Sequence, residues 1–178
     1  MTALDPVAAV YYIAKYQNGE VEEALVDGSS PYAPKHRSSD TPWDAVVKRG
    51  LATAITLRIV TIGGAEYQLR GAAIDAKILV DKSGVLVVYS KEPSHLDKDF
   101  YLPPPHNAAI FNADASLRLT LANPNEGKGW YIHSAHQEKA NEIGVNVTND
   151  EEWPDLLYCR LDEVGCKLID TGISRDRR

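Results

Sequence analysis

Apolar residues recur at every second position in one short run after another along this chain, and turn signals separate the runs. In "TAITLRIVTIGGAEYQLRG", Ile55, Leu57 and Ile59 alternate with Thr56 and Arg58 ahead of Gly63-Gly64. Successive side chains of a strand point to opposite faces, so this pattern buries one face and wets the other. "AVYYIAKYQNGEVEEALVDG" brackets Asn18-Gly19 in the same way. Asn-Gly is a strong hairpin signal because tight hairpin turns need positive φ. Lys82-Ser83-Gly84 marks a third hairpin, whose second arm, Val85 to Tyr89, is apolar throughout and suits a strand covered on both faces. Leu117, Leu119 and Leu121 alternate again, "GWYIHS" is a short aromatic run, and "DLLYCRLDEVGCKLIDTG" reads as a closing hairpin. About ten strands joined by short turns predict a mainly β chain, an antiparallel barrel or sandwich.

Two segments carry helix signals instead. In "TPWDAVVKRG", Thr41 stands as N-cap, Pro42 at the first helical position, Asp44 where a capping box needs it, and Gly50 as the stop. The expectation is a short helix near 42–49. In "HSAHQEKANEIG", Ser134 and Gln137 form a second capping box and Gly144 a stop, which predicts a helix near 135–143. Long loops are expected at 27–41 and 91–108, the latter with the prolines at 103–105 held extended. A chain of 178 residues fits one β-rich domain spanning 1–178, large enough to hold a core without a disulfide or metal.

Charge restricts the partners. Nineteen Lys and Arg against 25 Asp and Glu give a net charge of −6. The densest basic run, "SRDRR", is interrupted by Asp176, so the stripe that nucleic acid requires is missing. No Lys or Arg precedes Lys15, and Asp5 and Pro6 interrupt the first apolar run, unlike a secretory signal. No stretch approaches the ~20 apolar residues of a membrane helix. Cys159 and Cys166 sit in apolar, strand-like settings and read as free thiols. The expectation is a cytoplasmic protein with neither nucleic acid nor membrane as partner.

Reactive residues are sparse. His133 and His136 are three apart, but a helix starting at Ser134 puts the first before its cap and the second inside it, so the pair shares no face. The His-Glu-x-x-His spacing of helical zinc sites is absent. "SHLDKDF" offers His95 and Asp97, which with His133 or His136 would make the two-histidine, one-carboxylate set of a non-haem iron site. His106 completes the candidate list for a catalytic reading. "NDEEWPD" clusters acids around Trp153 without the glycine and ligand alternation of a calcium loop. No phosphate loop and no nucleophile elbow occurs.

Nine tyrosines and three tryptophans stand against two phenylalanines. Tyr and Trp join an apolar body to a polar tip, which suits a half-wet pocket wall or an interface. Tyr11, Tyr12, Tyr67, Trp130, Tyr131 and Trp153 are therefore the candidate contact residues, Tyr11 and Tyr12 facing opposite sides of one strand. The expected function is a non-catalytic binding or interaction module without cofactor or metal. Its partner would be a protein, copies of itself in an oligomer or larger assembly, or a small ligand. The alternative is a small β-barrel enzyme with a polar pocket, histidine- or metal-dependent.

Overall fold

The computed structural model describes residues 4–28, 48–69, 71, 73–93, 100–149 and 155–176. Twelve strands occur among them, two more than the turn signals suggested: β1 (Val7–Tyr16), β2 (Val21–Gly28), β3 (Ala52–Thr61), β4 (Glu66–Leu69), β5 (Ala73–Ile78), β6 (Gly84–Tyr89), β7 (Ala108–Asn112), β8 (Leu117–Thr120), β9 (Trp130–Lys139), β10 (Glu142–Asn149), β11 (Asp155–Asp162) and β12 (Lys167–Asp176). They form three antiparallel four-stranded sheets: an N-terminal sheet in the order β2-β1-β3-β4, a middle sheet β5-β6-β7-β8, and a C-terminal sheet β12-β11-β10-β9. Each sheet has two end strands, so none of them closes into the barrel that was one of the two expected architectures.

Residue parity in the middle sheet explains how the sheets pack. Leu86, Val88, Ala108 and Ile110 join one core with Ile132, Val145, Val147 and Cys159 of the C-terminal sheet. Their chain neighbours Val85, Val87, Tyr89, Ala109 and Phe111 join a second core with Val10, Leu57 and Ile59 of the N-terminal sheet. Alternate side chains of β6 and β7 thus feed opposite cores, which is why the run Val85–Tyr89 is apolar without a break.

Three of the hairpins share one turn design. Thr61 N–H donates to Ala65 O and Gly64 N–H to Thr61 O, a three-residue loop with Gly64 at φ +85°. The β1–β2 turn repeats it with Gly19 at +86°, and the β7–β8 turn with Ala115 at +63°. Asn18 is not among the positive-φ residues, so the loop is the three-residue type with one left-handed position rather than a two-residue turn with two.

Three expectations fail. The segment 135–143 is not helical: β9 runs through to Lys139, Ala140-Asn141 turn, and β10 starts at Glu142. Ser134 Oγ accepts from Asn146 Nδ2 at 3.1 Å, and Gln137 Nε2 donates to Lys139 O and to Glu142 O. Both presumed capping side chains are spent across the strands. A helix here would have buried few apolar groups, whereas the strand places Ala135 and Ile143 in the core. Of the expected 42–49 helix, Lys48 and Arg49 are helical and 42–47 lie outside the described residues. Among the described residues, the two short helices are therefore not found. The triple proline is not extended throughout: Pro104–Pro105 is cis and His106 N–H donates to Pro103 O at 3.2 Å, closing a turn. The expected loop 27–41 begins inside β2, and 29–41 lies outside the described residues; loop 91–108 is irregular at 91–93 and 100–107, and Ala108 opens β7. No helix among the described residues is long and apolar enough to cross a membrane.

Candidate functional site: a tyrosine-walled groove on the N-terminal sheet

Alternation along β1 sends Tyr11 and Tyr12 to opposite faces, as expected. Tyr12 packs with the core shared by the N-terminal and middle sheets, while Tyr11 looks outward. Tyr11 is nevertheless only 3% exposed. The Arg58 guanidinium lies over its ring, 5.1 Å from the centroid, held there by Glu23 at 2.8 Å and Glu66 at 3.4 Å.

Tyr12 is half-buried and walls an open groove of about 670 Å³. Val26 and Ile55 from the inner face of the N-terminal sheet and Ile74 from β5 supply apolar walls; Ser90 and Glu92, just past β6, supply polar groups. Tyr16 lies one pleat repeat beyond Ala14 on the same face, and its hydroxyl donates to Glu22 Oε2 at 2.7 Å. Arg49 reaches Glu22 at 3.0 Å and Glu20 at 3.2 Å, with its guanidinium 5.2 Å from the Tyr16 ring centroid. Asn18 N–H donates to Arg49 O and Gln17 N–H to Leu51 O, so the segment entering β3 is tied to the β1–β2 turn. Burial raises the Tyr12 phenol above its ordinary pKa and the Glu22 carboxylate adds to the shift; Tyr16 is raised by burial and by its bond to Glu22. Both phenols stay neutral and available as hydrogen-bonding groups.

The histidine candidates do not converge. His95 and Asp97 lie outside the described residues, as does Trp153. His106 Nδ1 accepts from Asn123 N–H at 3.0 Å in the turn before β7. His133 Nδ1 is 3.2 Å from Ser134 Oγ, and His136 Nε2 pairs with Glu138 at 3.0 Å. The His136 ring leans toward Tyr158, centroids 5.8 Å apart, over Gly144, where a Cβ would come within 2.6 Å of the imidazole. Among the described residues, no group of three or more His, Cys, Asp or Glu could hold a metal ion. The aromatic candidates are also dispersed. Tyr67 lines a separate cavity of about 230 Å³ with Asp5 and Asp114, Trp130 packs against the C-terminal core, and Tyr131 lies under the Lys91 ammonium, 5.4 Å from its centroid.

Sequence reasoning missed Tyr16, Glu22, Arg49, Ile74 and Glu92. Tyr12 and Tyr16 share parity, and the Asn18-Gly19 hairpin sets Glu22 opposite Ala14, so that part was readable. Nothing local announces Arg49, Ile74 or Glu92, which arrive from separate segments.

Both cysteines are free. Cys159 is fully buried in the C-terminal core, and burial followed by the nearby Asp170 carboxylate pushes its thiol up to about 11. The thiolate is the nucleophile. At pH 8, dithiobis(nitrobenzoate) is therefore expected to titrate a single thiol per native chain, Cys166 in the β11–β12 turn, and Cys159 only after unfolding. Two fast equivalents would show the core to be open.

No family model, no curated protein and no solved structure matches this chain.

Proposed function

We propose that the chain is a non-catalytic binding module, its stacked sheets a sandwich-like scaffold and its ligand site the Tyr12 groove. The groove itself carries the reading. A concavity of about 670 Å³ with apolar walls and a few polar groups at its margin has the size and chemistry of small-molecule sites. Its walls come from strands on two different sheets, so its shape is set by packing.

The uncharged apolar dye Nile red tests this. Emission is expected to rise and shift to shorter wavelength on titration with the full chain. Ile74 is 54% exposed, so Ile74→Asp leaves the fold intact while placing a carboxylate in the apolar wall, and dye affinity should fall by at least about tenfold. Equal binding by the variant would remove the groove from consideration.

One observation favours a catalytic alternative. His136 Nε2 is oriented by Glu138, as the imidazole of a general base is held by a carboxylate. That pair lies on β9 and shares nothing with the groove.

A further inference from the structure

We infer that the Tyr12 groove is selective for small amphiphiles with a cationic head, an organic ammonium on an aliphatic or aromatic body. This rests on the groove being a ligand site. Of the described residues lining it, Glu92 alone carries a formal charge. The carboxylates nearby on the N-terminal sheet are occupied: Glu20 and Glu22 by Arg49, Glu23 and Glu66 by Arg58. Glu92 is exposed, and its only hydrogen bond among the described residues is made by its backbone, which donates to Ser90 Oγ at 3.3 Å. Its carboxylate makes no hydrogen bond or ion pair among the described residues. Among the described residues no Lys or Arg lines the groove, so an anionic head would meet the Glu92 carboxylate without a compensating cation there.

Tyr12 adds to the same preference. It lines the groove, and aromatic rings attract ammonium groups. Two carboxylates act on the phenols here, Glu22 on Tyr12 and Glu92 on Tyr101, each adding to the upward shift that burial causes. Glu22 is itself paired with Arg49, so Glu92 is the carboxylate that sets the preference. The apolar walls Val26, Ile55 and Ile74 take the body of the ligand.

Three probes with one tail and different heads separate the terms: octylammonium, octanol and octanoate, titrated into the full chain at low salt and followed by the methyl resonances of Val26, Ile55 and Ile74. All three tails are expected to shift those methyls. Octylammonium should bind about three- to tenfold more tightly than octanoate, as expected for one exposed charge. In Glu92→Gln the preference should shrink to within about twofold with octanol unchanged. Octanol binding with no preference for the ammonium, or a preference that survives Glu92→Gln, would overturn the charge inference and leave the groove standing. If octanol itself moved none of the methyls, the groove reading would fall and the inference with it.

Discussion

Asn107→Ala will destabilise the protein by about 3–5 kcal/mol, far more than loss of one neutral hydrogen bond. Asn107 is fully buried between the middle and C-terminal sheets. Its carboxamide behaves as an added peptide unit: Nδ2 donates to Tyr89 O at 2.7 Å and to Ile132 O at 2.8 Å, and Oδ1 accepts from Ile132 N–H at 2.8 Å. Ile132 lies on β9, the last strand of its sheet, so these backbone groups have no strand beyond them to pair with. Truncation removes all three bonds and leaves the Ile132 N–H and C=O without the partner that replaced a neighbouring strand, at about 1–3 kcal/mol each, partly relieved by water entering the gap. Asn107→Asp keeps the acceptor but turns a carboxylate toward two carbonyl oxygens. Its deficit should shrink as pH falls and the introduced carboxyl protonates, because the folded state then raises that group's pKa and stabilises the protonated form. Urea unfolding at pH 7 and pH 4 reads both effects. An Asn107→Ala loss below about 1 kcal/mol would mean that the bridge is not what joins these sheets.

The same bridge shows why parts of the fold could be read from sequence and others could not. Alternation in β3 and the uninterrupted apolar run of β6 are local consequences of which faces are buried, so they survive in the linear text. Asn107 sits among polar and proline residues that read as loop, and its role depends on Ile132, 25 positions away. Asp75 is a similar case: its carboxylate accepts from Ala135 N–H at 2.9 Å, across 60 positions. The failed helix at 135–143 has the same origin. Ser134, Gln137 and Gly144 satisfy capping rules, yet Asn146 and the turn backbone claim those side chains once β10 is alongside. Local capping contributes about 1 kcal/mol, and burying Ile132, Ala135, Ile143 and Val145 in one shared core outweighs it.

The groove was half legible for a related reason. Tyr12 could be picked out because adjacent tyrosines in a strand must point apart, and one of them must meet the interior. Which one, and what it meets, depended on sheets stacking in a particular order. The chemistry that makes the groove selective comes from Glu92, an exposed glutamate that looks like any solvated residue until Tyr12 and Ile74 stand beside it.

Stacking order is open to a direct test in β6, through the paired substitutions Leu86→Ala and Val87→Ala. In a two-layer arrangement with one wet face, neighbouring residues of a strand differ sharply: one is core, the other is close to neutral. Here Leu86 packs with Ile110, Ile132 and Val145, and Val87 packs with Val10, Leu57 and Ile59. Both are fully buried. Leu86→Ala is expected to cost about 2–5 kcal/mol, the spread reflecting how far the surrounding side chains relax into the cavity. Val87→Ala removes less volume and should cost about 2 kcal/mol. Leu25→Ala, at a 41% exposed position on end strand β2, serves as the control and should stay within about 0.5 kcal/mol. Urea unfolding at a fixed protein concentration measures all three. If either β6 substitution were as mild as the Leu25 control, one face of the middle sheet would have to be open to water and the layer order would be wrong. Two large losses at adjacent positions require a sheet with protein on both sides.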